Sequence, residues 1–338
     1  MSQNKYKKIA FELSVQEKQV EVTVRLLDEG GTVPFISRYR KEMTGSLDEV
    51  QVAVIRDRMQ QLIDLDKRRD TILKSMAELN VLSPELEKQI IEAETMMVLE
   101  DIYLPYKPKR KTKASAARER GLQPLADRIF EQDTIDIELE ASKFIDEEKE
   151  VYSSVEALSG ARDILAECFA ENAEVRAKMR DLFLKTGSFH SKLIKGKEQV
   201  GQKYKDYFDW TEAVKSAPSH RVLALRRAEK EIILTLDIEV PEDEAVNILE
   251  NMFVSGSNAS ASEVKTAIAD SFKRLIKPSM ETEVRLITKK AADAEAIRVF
   301  TDNARQLLLA APVGQKRILA IDPGFRTGCK VVCLDEQG

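Results

Sequence analysis

The chain has 338 residues, enough for about two domains and for a core that needs no disulfide or metal to hold it. Hydrophobic residues make up 43% and charged residues 33%, and the formal net charge is −5 at pH 7. This composition excludes collagen-like and low-complexity chains. No run approaches the roughly 20 apolar residues of a membrane span, and the N-terminus lacks the apolar core of a signal peptide. We therefore expect a cytoplasmic protein that does not bind a membrane.

Cysteine and histidine are too few for the common metal and nucleophile sites. Cys168, Cys329 and Cys333 do not form a disulfide framework, and no His and Cys set has the spacing of a zinc site. His190 and His220 lie in SFHSK and PSHR, without a Gly-x-Ser-x-Gly turn to present a nucleophile. We expect both histidines to be structural or surface residues, with no metal and no cofactor.

Two capping boxes predict helices in the N-terminal region. Ser14 with Glu17 predicts a helix that ends at the glycine pair 30–31, and Ser46 with Glu49 predicts a second. From the second box apolar residues recur in steps of three and four and predict one helix of up to about 50 Å. This apolar stripe consists of Leu47, Val50, Val54, Leu62, Leu65, Ile72, Met76 and Leu79.

The segment between these helices, TVPFISRYRKEMTG, predicts a short basic helix or turn closed by Gly45. Together with the preceding helix it resembles a helix-turn-helix unit in outline, although most helix pairs of this kind only form core. Arg38, Arg40 and Lys41 flank Tyr39 and are candidate nucleic-acid contacts.

Residues 104–113, LPYKPKRKTK, interrupt the helical pattern because two prolines exclude a regular helix. The basic segment, residues 107–120, carries seven basic residues against one acid, whereas 127–150 holds ten acidic and three basic residues. Such a loop can follow a phosphate backbone, and Tyr103 and Tyr106 can stack on unpaired bases. Pairing with the acidic run and plain solvation are the alternatives. The candidate contacts are Lys107, Lys109, Arg110, Lys111, Lys113, Arg118 and Arg120.

The second half of the chain is also mostly helical. Helical patterns cover about 154–172 and 173–186, and two more helical stretches run from Pro241 to Ala310. Between them, 187–209 predicts a loop or a short hairpin. At the end of the chain, RILAIDPG and CKVVCLD predict a strand, a turn and a second strand.

Asp322 ends the first of these two strands, where a ribonuclease-H-type nuclease begins its active site. A two-metal centre of that kind needs several carboxylates from different elements. The alternative interpretation is that Asp322 only belongs to a structural Asp-Pro-Gly turn.

Three segments resemble the bacterial Tex family of transcription accessory proteins: GGTVPFISRYRKEMTGSLDEVQ, LEDIYLPYKPKRKTKASAARERGLQPLAD and RILAIDPGFRTGCKVVCLDEQG. The resemblance covers essentially the whole chain. It implies a helical N-terminal half, then a YqgF or RuvC-like ribonuclease-H fold, helix-hairpin-helix motifs and a C-terminal S1 domain that is the principal nucleic-acid binder. It also implies that Asp322 matches the first acidic position of a nuclease-like fold without established activity.

From these observations we expect a mainly α fold of elongated multi-helix bundles with a helix-turn-helix-like unit, ending in the first strands of a ribonuclease-H-like domain. The predicted domains are 1–186, with the basic loop, a second helical region at 187–316, and the start of a YqgF or RuvC-like domain at 317–338. We expect the chain to be an N-terminal fragment.

The expected function is the N-terminal helical scaffold of a Tex-like accessory protein in transcription or RNA metabolism, without enzyme activity. RNA or DNA is the expected partner, bound weakly here and more strongly with the C-terminal domains. The alternatives are the front part of a metal-dependent nuclease or resolvase, and a pure protein-interaction scaffold for RNA polymerase or the ribosome.

Overall fold

The structure is a computed structural model that describes residues 2–108, 111–312, 314–324 and 328–338. The described residues form sixteen α-helices and five β-strands, so the expected mainly α fold is confirmed. The helices of the first half are α1 (Ser2–Leu13), α2 (Glu17–Asp28), α3 (Val33–Tyr39), α4 (Lys41–Thr44), α5 (Glu49–Glu78), α6 (Pro84–Glu92), α7 (Met96–Tyr103), α8 (Lys113–Glu119), α9 (Gln123–Phe130) and α10 (Ile137–Ser142).

The second half contains the remaining helices and all five strands. The helices are α11 (Ser154–Glu171), α12 (Ala173–Thr186), α13 (Ser219–Lys230), α14 (Glu242–Phe253), α15 (Ala259–Asp270) and α16 (Lys277–Leu308). The strands are β1 (Ser188–Leu193), β2 (Asp209–Ala213), β3 (Leu234–Glu239), β4 (Ile318–Gly324) and β5 (Gly328–Leu334). A π-helical segment, Ser271–Ile276, leads from α15 into α16. No helix within the described ranges is both long and apolar enough to cross a lipid bilayer.

The chain folds into two compact units. The first unit comprises Met1–Asp181 with Glu242–Met280, and the second comprises Leu182–Pro241 with Glu281–Gly338. The predicted division into domains at 187 and 317 stays a prediction.

The start of α2 differs from the predicted capping box. Ser14 lies in the left-handed region at φ 54°, in a short turn after α1, a helix that was not predicted. Gln16 is the N-cap and forms the box with Gln19. Val15 packs against the core formed by the first helices, so the N-cap of α2 comes after Ser14 in the chain. The end of α2 is as predicted, with Gly30 at φ 90°.

The start of α5 is also displaced from the predicted box. Asp48, not Ser46, is the N-cap, and its Oδ1 accepts a hydrogen bond from the Gln51 backbone N–H at 2.8 Å. Ser46 has φ 64° and belongs to the turn that follows the left-handed Gly45. At 30 residues the helix is about 45 Å long, close to the expected length.

Two hydrophobic cores lie along α5. Its N-terminal half packs with α1, α2 and α3 around Ile9, Val20 and Ile36. Its C-terminal half packs with α6 and α7 around Ile90 and Leu99. The predicted apolar stripe is correct from Leu62 to Met76 and wrong at Leu79, which is 48% exposed. It is wrong at the start of the helix, where Val52 and Ile55 are buried while Val50 is 63% and Val54 39% exposed.

A buried carboxylate joins α7 to α12 within the first unit. Asp101 is 6% exposed and accepts hydrogen bonds from Arg176 Nε and Arg180 Nη2, both at 2.6 Å. Arg176 also donates to Ser279 Oγ at 3.1 Å, at the start of α16. Since uncompensated buried charges are strongly unfavourable, Asp101 fixes the position of α12 against α7.

The predicted loop or hairpin at 187–209 is part of a three-stranded antiparallel sheet in the order β2–β1–β3. The hairpin of β1 and β2 fits the prediction, whereas β3 was missed. The sequence LTLDIE of β3 alternates strictly between buried and exposed residues, which is the signal of a half-buried strand.

The predicted strand, turn and strand at the end of the chain form the antiparallel hairpin of β4 and β5. The pairing runs from Ile318 opposite Leu334 to Gly324 opposite Gly328. All its described residues are exposed except the half-buried Ile318. The assignment of this hairpin to a ribonuclease-H-like domain stays a prediction.

Replacing Asp101 with Ala should lower the free energy of unfolding by about 3–5 kcal/mol, because two buried guanidinium groups lose their carboxylate. Denaturant unfolding followed by circular dichroism measures the change. The matched control is Glu150→Ala, which removes the exposed carboxylate that Arg120 contacts at 3.2 Å and should cost less than about 1 kcal/mol. An unfolding midpoint for Asp101→Ala equal to that of the parent chain would contradict this assignment.

Backbone amides of β4 and β5 should exchange rapidly with solvent, because a two-stranded hairpin without a packed face is marginal in water. Hydrogen–deuterium exchange read by mass spectrometry tests this at low protein concentration. The internal comparison is β1, which is the central strand of its sheet and contains the buried Phe189. Strong protection of 318–334 in a dilute monomer would show that the expectation is wrong.

Candidate nucleic-acid interface

The basic segment begins where the helical pattern stops, as the prolines predict. A 3-10 turn, Leu104–Tyr106, follows α7, and the described residues between this turn and α8 lie outside regular secondary structure. Thr112 caps α8 through a capping box with Ser115, whose backbone N–H donates to Thr112 Oγ1 at 3.0 Å. The candidate residues Lys109 and Arg110 lie outside the described residues.

Three lysines of the basic segment project into solvent. Lys107 and Lys113 are exposed and form no ion pair within the described part of the chain. Lys111 approaches Glu119 at 3.6 Å, with both side chains at least 66% exposed, so solvent screens this pair. These lysines therefore offer positive charge that neighbouring acids do not fully neutralise.

Arg118 has a structural position instead. Its Nη1 donates to Glu167 Oε2 at 2.7 Å, and its Nε donates to Gln123 Oε1 at 3.0 Å. The Glu167 side chain is only 9% exposed, so this pair fastens α8 to α11. Burial of the guanidinium is the largest single influence and works to lower the pKa of Arg118, but the hydrogen bond and the charge of Glu167, together with Cys168, hold the pKa above its usual range.

Arg120 is the one residue among the described parts of the basic segment that pairs with the acidic run 127–150. Its Nη2 lies 3.2 Å from Glu150 Oε2, and both side chains are exposed. Four of the ten acids of this run pair within it, Glu131 and Asp133 with Arg128, Glu140 with Lys143 and Asp146 with Lys149. Wholesale pairing of the segment with this run is therefore not what the structure shows.

An open cleft of about 520 Å³ lies between α8 and α11, with Lys113 and Arg120 on one side. Glu150, Glu156 and Asp163 line it as well. Burial raises the pKa of the Asp163 carboxyl, although Arg274, whose Nη2 is 2.7 Å away, acts in the opposite direction. Three acids against two cations make this cleft a poor anion site, so a phosphate would meet Lys107 and Lys111, which do not line it, and the solvent-exposed side of Lys113.

The two tyrosines before the segment are not both available for stacking. Tyr103 is 6% exposed in the second core, and its hydroxyl lies 3.2 Å from Ser75 Oγ. The Arg68 guanidinium covers its ring at 5.4 Å from the centroid. Tyr106 is half-buried against the same core. The expectation that Tyr103 stacks on bases is therefore wrong, because its ring completes a core.

The other candidate residues lie on α3 and α4. Arg38, Arg40 and Lys41 are exposed and form no ion pair in the ranges that the structure describes. We name the exposed side chains of these two helices the α3–α4 surface. They are Pro34, Phe35, Arg38, Tyr39, Lys41, Glu42 and Met43, with Arg40 between the two helices. The helix-turn-helix interpretation of this unit stays a prediction.

Asp322 lies on β4 opposite Lys330 of β5, at an exposed position of the hairpin. Among the described residues, no group of three or more His, Cys, Asp and Glu side chains could hold a metal ion. His190, on β1, contacts Thr211 Oγ1 at 3.0 Å and Glu239 Oε2 at 3.5 Å, a cross-strand surface position.

Two family profiles match the chain. The profile described as a Tex-like protein N-terminal domain matches residues 3–77, and that described as Tex central region-like matches residues 132–300. The basic segment lies between these two matched ranges.

Curated relatives match nearly the full chain. An uncharacterised protein, YdcI, of Bacillus subtilis is 40% identical over 98% of the chain and 46% of its own length. The transcriptional accessory protein Tex of Neisseria gonorrhoeae is 40% identical over 98% of the chain and 44% of its own length. A human S1 RNA-binding domain-containing protein 1 is 28% identical over 92% of the chain and 32% of its own length. The chain thus spans less than half the length of these relatives.

Arg118→Ala should lower the free energy of unfolding by about 1–3 kcal/mol, because a buried carboxylate loses its charged hydrogen bond. The matched control is Arg120→Ala, which removes an equal charge from an exposed pair two residues away and should change stability by less than about 1 kcal/mol. Thermal and denaturant unfolding compare the two variants. Equal losses of stability in the two variants would mean that Arg118 contributes no more to the fold than Arg120 does.

Proposed function

Because the chain belongs to the Tex family, we propose that it forms the helical scaffold of a transcription accessory protein that associates with RNA or DNA. The names of two relatives, a transcriptional accessory protein and an S1 RNA-binding domain-containing protein, support this association. The observation that carries the proposal is the group of exposed lysines, Lys107, Lys111 and Lys113, that neighbouring acids leave largely uncompensated.

This association is local and sensitive to salt. The chain has a net charge of −5, so its overall field does not attract a polyanion. The exposed lysines of the basic segment then supply the attraction through direct phosphate contacts, which release counterions. At about 0.15 M salt the Debye length is about 8 Å, so each contact counts only close to the phosphate. We propose weak binding here and stronger binding in a longer protein.

We also propose that this part of the protein acts without catalysis. Asp322 stands opposite a lysine on an exposed hairpin, and a two-metal centre needs several carboxylates from different elements. Although Asp322 matches the first acidic position of a nuclease-like fold, one carboxylate is not enough for such a centre. We therefore propose a structural role for Asp322 in this chain.

A protein-interaction scaffold is the second candidate function. The C-terminal part of α16 exposes large apolar side chains, with Phe300 at 73%, Leu307 at 79% and Leu308 at 85% exposure. Apolar residues at this spacing share one helix face and are typical of a surface that another protein covers. RNA polymerase or the ribosome is the partner proposed for this function.

The triple variant Lys107→Ala, Lys111→Ala, Lys113→Ala should bind single-stranded RNA or DNA roughly tenfold more weakly at low salt. The log–log slope of affinity against salt should fall by about 2, at about 0.7 per lost phosphate contact on a single strand. Fluorescence anisotropy with a labelled oligonucleotide, at several salt concentrations, measures both quantities. The melting temperature should stay unchanged because these side chains lie in solvent.

The control triple removes the same charge from scattered exposed lysines: Lys74→Ala, Lys230→Ala, Lys290→Ala. An equal loss of affinity in both triples would mean that net charge alone matters. Unchanged binding with a lower melting temperature in the first triple would make the segment structural and remove the basis of the proposal.

A further inference from the structure

The aromatic residues of the α3–α4 surface lie in a row on one helix face. Phe35 and Tyr39 are four residues apart, and their ring centroids are 5.6 Å apart at an interplanar angle of 42°. Phe35 is 41% exposed and Tyr39 68%, and Met43, four residues further, is 45% exposed. Two aromatic rings are therefore exposed side by side on α3, and α4 adds a third exposed apolar side chain nearby in the chain.

Cations flank this row. The Arg40 guanidinium carbon lies 5.0 Å from the Phe35 ring centroid, and its Nη1 donates to the Tyr39 carbonyl at 3.2 Å. Arg38 and Lys41 lie in solvent on either side of it, and Glu42 is the one acidic residue between 38 and 43. The surface thus combines stacking faces with three cations that no acid neutralises within the described ranges.

The backbone under this surface is held at both ends. Ile36 is fully buried, and Thr32 Oγ1 accepts a hydrogen bond from the Phe35 backbone N–H at 3.4 Å. At the other end Gln19 Nε2 donates to the carbonyls of Thr44, at 3.0 Å, and Gly45, at 3.1 Å. The exposed rings therefore project from a backbone that is already ordered, which reduces the entropy lost when a ligand binds.

We propose that the α3–α4 surface binds unpaired bases of single-stranded nucleic acid, with Tyr39 stacking on a base and Arg38, Arg40 and Lys41 contacting phosphates. This inference rests on the proposed association with nucleic acid and adds its location and the form of the ligand. A duplex hides the faces of its bases, so the rings add nothing to duplex binding. A docked partner helix needs a broad apolar groove, whereas here rings alternate with cations as bases alternate with phosphates.

The test compares Tyr39→Ala with the parent chain on two labelled probes, a dT12 oligonucleotide and a 12-base-pair duplex. The dT12 affinity should fall about tenfold, which corresponds to about 1.4 kcal/mol. Duplex affinity should stay within twofold, and the salt slope for dT12 should not change because the ring carries no charge. Tyr39→Phe keeps the stacking face and should retain dT12 binding within twofold.

The matched control is Phe11→Ala, which removes an aromatic ring that is 87% exposed on α1. Loss of dT12 affinity equal to that of the control, or equal losses on dT12 and duplex, would overturn the inference while leaving the proposed function intact. Absence of binding by the parent chain to either probe would reject both. Binding of an acidic, aromatic peptide that Tyr39→Ala abolishes, with dT12 binding unchanged, would make the surface a protein-docking site and also overturn the inference.

Discussion

The first unit depends on a carboxylate that is enclosed between two arginines. Asp101 is the last charged group of α7 before the chain leaves regular helix, and its two arginine partners lie one helical turn apart on α12. In a poorly solvated site such charges are stable only while all of them remain together. The ion cluster therefore fixes the end of α7, and with it the place where the basic segment leaves the core.

Within the described part of that segment, arginines and lysines have separate roles. Arg118 uses its planar fork to hold two side-chain acceptors at once, and Arg120 pairs with Glu150. Lysine has one compact ammonium on a flexible stem and cannot hold two acceptors in a fixed geometry as well. The lysines are accordingly the residues left in solvent. A sum of charge over 107–120 counts both kinds equally and so overstates what a phosphate can reach.

The same preference for arginine recurs at other helix contacts of the first unit. Arg58 holds both carboxylate oxygens of Glu12 at 2.7 Å, which joins α5 to α1. Arg68 binds Glu100 through two nitrogens and also covers the ring of Tyr103. Paired and stacked arginines thus complete helix contacts. On the α3–α4 surface Arg40 stacks on Phe35 in the same way, but its side chain stays exposed, and Arg38 and Lys41 form no ion pair within the described residues.

Local signals predicted much of the fold. The glycines that end α2 and α4, Ser83 with Pro84 at the start of α6, and the prolines that stop the helical pattern after α7 act within one turn of backbone. Both N-terminal capping boxes were nevertheless placed two residues early. Several residues near each start can accept a backbone N–H, and core packing of Val15 and Leu47 decides which one does.

The sequence could not predict which residues contact each other when they lie far apart in the chain. Tyr103 and Arg118 looked accessible in a basic, proline-broken context, yet one ring is buried against α5 and one guanidinium is paired with a glutamate 49 residues away. Nothing in the local pattern distinguishes them from Tyr39 or Lys113, because burial depends on which helix packs opposite.

The electrostatics of the chain also depend on local surroundings, here on the charges close to each site and not on the total charge. A net charge of −5 suggests a protein that repels nucleic acid, but screening at about 0.15 M salt confines each charge to about 8 Å. Over that distance a phosphate beside Lys107 or Arg38 meets the local arrangement of charges and not the sum for the chain. Within the described residues the acids of 127–150 reach the basic segment only through Glu150 and Arg120, so they form no ion pair with the exposed lysines. An acidic protein can therefore present cationic surfaces, and the exposure of the cations decides where they lie.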